Sequence, residues 1–262
     1  MSNSSLVVYT KLSPCKSSPR NHAIDTITIH CMAGNMTVEA CGELFQKRSR
    51  ETSSNYGIGS DGRIAMYVEE KDRSWCTSSR SNDNRAITIE VANDGGANTG
   101  WHVSDKAMAS LINLVTDICQ RNGIKELKWK GDKNLIGQVD KQNMTVHRWF
   151  AAKACPGDYL YGAHPQIVAE VNKRLGVSGS SSSAKPATPS NVEAFKSFKV
   201  KVNIANLNIR KGPGINFDKT GKYTGKGVFT IVEVIEGNGS KTGWGKLKSG
   251  IGWISLDYTE KV

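Results

Sequence analysis

Thr26-Ile-Thr-Ile-His30 and Ile87-Thr-Ile-Glu-Val91 decide the fold. In both, apolar β-branched residues alternate with polar ones, the period of two expected of a strand with one buried face. Ile27 and Ile29 then point one way and Thr28 and His30 the other, while Ile87, Ile89 and Val91 oppose Thr88 and Glu90. This places His30 and Glu90 on one sheet face. Ile64, Met66 and Val68, alternating with Ala65 and Tyr67, predict a further strand. Elsewhere the apolar period changes to 3.6. Thr37 to Lys47 reads as a helix through Val38, Cys41, Leu44 and Phe45. Ser104 to Gln120 reads as another, with Ser104 as N-cap, a stripe through Met108, Leu111, Ile112, Val115 and Cys119, and Gly123 beyond its end. A last helix is predicted to start near Pro165 and stop at Gly176. The expectation is an α/β N-terminal domain with a central mixed β-sheet flanked by helices.

Residues 176–191, Gly-Val-Ser-Gly-Ser-Ser-Ser-Ser-Ala-Lys-Pro-Ala-Thr-Pro-Ser-Asn, have almost no apolar bulk and read as a linker. The predicted domains are therefore 1–176 and 198–262, with 177–197 joining them. Beyond the linker, Phe198–Val202, Leu207–Arg210, Val228–Val234, Gly243–Lys248 and Gly252–Leu256 are short β-branched and aromatic runs separated by Gly-Pro-Gly and Asn-Gly turns, which suggests a small all-β barrel.

The 262 residues carry a net charge of +11. Residues 1–176 hold 22 basic and 18 acidic side chains, so the second part, with 13 and 6, is the more basic per residue. An anionic partner is implied. Nucleic acid is disfavoured, because the basic residues of the larger domain are not grouped with stacking aromatics. No stretch is apolar and long enough to span a membrane, and residues 1–10 lack the basic start and apolar core of a signal peptide. The six cysteines, spread over the first 155 residues with no Cys-x-x-Cys pair, read as reduced thiols mostly packed as small apolar groups.

Three residues carry chemistry: His30 at the end of its strand, His147 in Thr-Val-His-Arg and Cys155 in Ala-Lys-Ala-Cys-Pro-Gly. Two imidazoles and a thiolate form a zinc set with a fourth position open for water, whose pKa such a site lowers to roughly 7. Cys155 follows His147 by eight residues in a loop closed by Pro156-Gly157, which lets both side chains reach one point. His22, His102 and His164 have no such company and read as packed or surface residues.

Thr-Ile-His30, the segment Ser-Asn-Tyr56-Gly-Ile-Gly-Ser-Asp-Gly-Arg, Ile-Thr-Ile-Glu90-Val-Ala-Asn and the run from His147 through Lys153 to Cys155-Pro-Gly together resemble the zinc N-acetylmuramoyl-L-alanine amidases of phage endolysins and bacterial autolysins. That fold is shared with peptidoglycan-recognition proteins. The resemblance implies one zinc per chain held by His30, His147 and Cys155, with Glu90 activating the water, Lys153 stabilising the oxyanion and Tyr56 contacting substrate or water. The division of labour between Tyr56 and Glu90 stays open. Leu207-Asn-Ile-Arg210-Lys-Gly-Pro, Gly243-Trp-Gly and Gly252-Trp-Ile resemble a bacterial SH3-type wall-binding domain, in which at least one of Trp244 and Trp253 reads as core. The implied substrate and binding target is bacterial peptidoglycan. Without a signal peptide, such an enzyme is made in the host cytoplasm, acts at the cell wall and depends on a phage pore protein for release. Two alternatives follow from the same features: a non-catalytic peptidoglycan receptor, which requires a broken zinc set, and a papain-type wall peptidase, which requires a cysteine at a helix start ahead of its histidine.

Overall fold

The computed structural model describes residues 2–177, 197–210, 212–215, 217, 219–235 and 239–262. The chain forms two compact units, Met1–Ser182 and Ser183–Val262. Most of the linker read from the sequence lies outside the described residues, as does Lys211.

The first unit runs β1 (Tyr9–Thr10), β2 (Lys16–Ser17), β3 (Thr26–Cys31), α1 (Val38–Gln46), β4 (Tyr56–Ile58), β5 (Ile64–Met66), β6 (Arg73–Ser74), α2 (Arg80–Arg85), β7 (Ala86–Val91), α3 (Asp105–Asn122), β8 (Met144–Thr145) and α4 (Gly157–Arg174). Six strands form a mixed sheet in the order β1-β5-β4-β7-β3-β8, in which the β4–β5 pair alone is antiparallel. β2 and β6 form a separate two-stranded ribbon.

The alternation in β3 and β7 sorts the two faces. Ile27, Ile29, Ile87, Ile89 and Val91 are fully buried in one cluster with Leu111, Leu114 and Ile118 of α3 and Leu160, Ile167 and Val171 of α4. Each such side chain contributes about 1.5–3 kcal/mol through the apolar area removed from water. The opposite face is partly apolar, where Val38, Cys41 and Phe45 of α1 cover Ala65 and Tyr67. Elsewhere on it a polar layer of Thr28 and Thr145 packs with Asn82 from α2, while the Thr88 hydroxyl accepts the Asn55 N–H and pairs with the Ser74 hydroxyl.

Helix ends follow the local chemistry. Thr37 accepts the Ala40 N–H at the start of α1, and Ser104 accepts the Ala107 N–H at the start of α3. Gly123 ends α3 with φ 71°, a left-handed conformation that glycine adopts without a Cβ penalty. α4 corrects the sequence reading: it starts at Gly157, and Pro165 lies inside it. Proline forfeits one backbone hydrogen bond there, but Leu160, His164, Ile167 and Val171 form a continuous buried stripe across it. Packing of that stripe outweighs the lost bond.

The second unit contains β9 (Phe198–Val202), β10 (Asn208–Arg210), β11 (Lys219–Tyr223), β12 (Gly227–Ile235), β13 (Trp244–Leu247), β14 (Trp253–Ser255) and β15 (Thr259–Lys261). These make one sheet in the order β11-β10-β14-β13-β12-β9-β15, so the described residues hold seven strands where five were read. The two extra strands are the outermost, and as exposed, lysine-bearing edges they carry no apolar alternation. β11 and β15 do not pair with each other among the described residues, so the hydrogen bonding does not close into a cylinder. Val200, Val202, Leu207, Ile209, Ile231, Leu247 and Ile254 form the unit's core. Trp244 and Trp253 are also buried.

Candidate metal centre

His30 and Glu90 occupy opposed positions in the parallel ladder between β3 and β7. His147 stands on a single 3-10 turn, His147–Trp149, just after β8. The loop that follows folds back on this turn, because the Arg148 N–H donates to the Cys155 carbonyl at 3.1 Å. Beneath both histidines lies a brace. Thr28 and Thr145, each two residues before its histidine, are opposed across the β3–β8 pair. Their hydroxyls are 2.7 Å apart, and the Asn82 amide donates to Thr28 at 3.1 Å and accepts from Thr145 at 3.0 Å. Breaking this buried and fully paired triad would leave polar atoms without partners, so it holds the two histidine-bearing strands in register.

The structure brings His30, His147 and Cys155 together, with their ligand atoms all within 4.8 Å of one another. The Cys155 sulfur is 3.3 Å from His30 Nδ1, and the two imidazole rings are centred 5.1 Å apart. Cys155 also accepts the backbone N–H of Cys31 at 3.4 Å. Glu90 Oε1 lies 3.9 Å from His30 Nδ1.

The donor set suits a divalent cation. Burial and the neighbouring His147 push the His30 pKa down to about 3, and burial and Lys153 lower that of His147. Both rings therefore stay neutral at physiological pH and offer lone pairs. His30 Nε2, His147 Nε2 and Glu90 Oε2 are buried without a hydrogen-bond partner, and buried polar atoms left unpaired in neighbouring residues are costly unless something binds there. The Cys31 thiol, burial and the Glu90 carboxylate push the Cys155 thiol upward, a preference that a bound cation reverses by stabilising the thiolate. Two imidazoles, one thiolate and a nearby carboxylate match the ligand chemistry of zinc.

The remaining residues divide. Lys153 is exposed on the loop before Cys155, and its charge is felt at His147. Burial, and then the charge of Cys31, push the Glu90 carboxyl well above the usual carboxylate range, a shift that suits a group that must accept and return a proton.

Tyr56 is not brought to this cluster, which corrects its placement at the active site. It pairs with Ile89, whereas its neighbour Gly57 pairs with Glu90, so strand alternation turns the phenol to the opposite face. There Tyr56 is fully buried, donating to Glu70 Oε1 at 2.6 Å and accepting the Ser4 N–H at 3.0 Å. A side chain at Gly57 would instead strike Tyr67, whose ring lies 2.5 Å from the Cβ position. Cys76 was missed: with His30 and Glu90 it forms a second group of ligand atoms within 4.8 Å. It stands in no motif, and only the tertiary fold brings it near His30 and Glu90. All the described cysteines are free thiols.

Residues 20–158, over half the chain and spanning every residue of the cluster, match the family described as N-acetylmuramoyl-L-alanine amidase. No curated protein matches. Among solved structures, the chain is similar to an endolysin N-acetylmuramoyl-L-alanine amidase, LysCS from Clostridium intestinale, at 20% identity over 63% of this chain and 93% of that one, with a TM-score of 0.44. It is also similar to AmpD, at 18% identity over 64% and 99% of the two chains with a TM-score of 0.46. A third is the Ph2119 endolysin from a Thermus scotoductus bacteriophage, at 15% identity over 60% and 89% with a TM-score of 0.40.

Proposed function

The chain belongs to the N-acetylmuramoyl-L-alanine amidase family of peptidoglycan hydrolases, and we propose that its catalysis rests on one zinc ion held by His30, His147 and Cys155. The observation that carries this reading is the convergence of those three side chains, with orphaned imidazole nitrogens, beside Glu90. When bound, zinc supplies Lewis acidity towards the scissile carbonyl and acidifies water.

The protein's own groups then divide the proton and charge movements. Glu90, standing next to His30, takes a proton from the attacking water and returns it to the departing L-alanine nitrogen, so that the amide yields a lactyl carboxylate and a free amine. Lys153 neutralises charge on the carbonyl oxygen as the tetrahedral state forms. The Thr28–Asn82–Thr145 brace keeps the two histidines at a fixed spacing. Tyr56 takes no part.

Residues 1–176 act as the catalytic domain in this reading. Residues 198–262 act as an SH3-type domain that tethers the enzyme to the wall, supported by the excess of basic charge beyond residue 176. The resemblance of the site motifs around His30, Glu90, His147 and Cys155 to those of phage endolysins favours a phage lytic enzyme. Among the described residues no helix is long and apolar enough to cross a membrane.

The test is digestion of purified peptidoglycan. New L-alanine amino groups without new reducing sugars support the reading, and new ends elsewhere in the peptide or glycan exclude it.

A further inference from the structure

The second unit contains a cavity of roughly 260 Å³ at the end of its sheet. Ile204, Asn206, Asn208, Arg210, Trp244 and Ser255 are among the residues that line it. Two features mark it as a binding site. Ser255 is only 3% exposed, yet its hydroxyl has no hydrogen-bond partner, and a buried hydroxyl left unpaired is costly. No acidic residue lines the cavity among the described residues, while the wall carries an arginine, two asparagine amides and the hydroxyls of Ser255 and Tyr258.

Arg210 is held in place from behind. Its Nη1 donates to the carbonyls of Ile215 at 3.2 Å and Phe217 at 2.7 Å, and its guanidinium carbon lies 5.9 Å from the Trp244 ring centre. A guanidinium has five N–H donors in a planar fork, so two carbonyls at one nitrogen do not exhaust it. A positioned guanidinium, amide donors and a buried hydroxyl beside indole and aliphatic surface suit a ligand with a carboxylate at one end and small apolar groups behind it.

We propose that this cavity binds the free carboxyl terminus of a short peptide, the uncrosslinked stem-peptide end of peptidoglycan. Arg210 receives the carboxylate, Ser255 and the asparagines bond the terminal peptide group, and Trp244 with Ile204 packs against the alanine methyls. The inference rests on the wall-tethering reading and narrows it: the domain reads peptide ends, so it favours wall that is rich in free stems.

The test is a two-dimensional NMR titration of the ¹⁵N-labelled full chain with diacetyl-L-Lys-D-Ala-D-Ala, followed by the same peptide as its C-terminal amide. Expected are saturable shifts at the Trp244 indole and at Asn206 to Arg210, with the amide roughly tenfold weaker or more, as for loss of a charge-assisted hydrogen bond. Ser255→Ala should weaken the acid several-fold. Equal response to acid and amide, or shifts confined to the first unit, overturns the proposal. A wall pull-down of the wild-type chain separates the two readings. Walls retained with an unresponsive cavity reject the peptide site and leave tethering standing, whereas a responsive cavity without wall retention upholds the site and rejects tethering.

Discussion

His30 and Glu90 face each other across adjacent parallel strands, with Nδ1 and Oε1 3.9 Å apart. In the proposed mechanism a metal ligand and a proton-handling group are thereby set at a distance fixed by the sheet ladder and not by a loop. Rigid elements hold catalytic geometry more closely than loops do.

The first prediction separates their roles. Glu90→Gln should abolish hydrolysis while keeping one zinc per chain, and His30→Ala should lose both. Elemental analysis alongside an assay for released amino groups is the measurement. Near-full activity in Glu90→Gln would remove Glu90 from proton transfer.

Lys153 should act on the transition state. Lys153→Ala should lower kcat by roughly 10²–10³-fold with little change in KM, as for a typical oxyanion donor. A raised KM with unchanged kcat would make it a substrate-binding residue.

Tyr56→Phe should leave kcat within about twofold of wild type, because the phenol is on the far face of the sheet. Its cost should appear in stability, about 1–3 kcal/mol, since Glu70 and the Ser4 N–H lose a buried partner. Denaturant titration and steady-state kinetics together check this; a large loss of kcat in a stably folded variant would restore a catalytic role.

Acid sensitivity should trace in part to His164. It is fully buried, stacked on Trp129 with ring centres 4.2 Å apart, and burial lowers its pKa to about 4. A histidine that is harder to protonate when folded costs nothing above its unfolded pKa near 6.5, and destabilises progressively as pH falls from there to about 4. The loss reaches about 3 kcal/mol. Urea titrations between pH 7 and 4 should show a shallower decline for His164→Phe than for wild type. Parallel declines would refute this assignment.

The sheet faces were legible because Ile27, Ile29, Ile87 and Ile89 alternate strictly with polar residues, and the caps of α1 and α3 because Thr37, Ser104 and Gly123 have local physical roles. The convergence of His30, His147 and Cys155 was legible through motif order. Four features were not. Cys76 stands in no motif and meets His30 and Glu90 only through the tertiary fold. Pro165 read as a helix start because its cost is local, whereas the compensating stripe from Leu160 to Val171 is tertiary. The edge strands of the second unit carry no apolar period. Tyr56 was assigned by its motif, although its own alternation with Gly57, once paired to Ile89 and Glu90, turns it away from the site.

The most direct test of the account is X-ray absorption at the zinc edge on protein purified without chelator. It predicts one zinc per chain with two imidazole nitrogens at about 2.0–2.1 Å and one sulfur at about 2.3 Å, the sulfur shell disappearing in Cys155→Ala. An intact sulfur shell in that variant, or zinc bound through oxygen and nitrogen alone in the wild type, would contradict the assignment of His30, His147 and Cys155 as the metal centre.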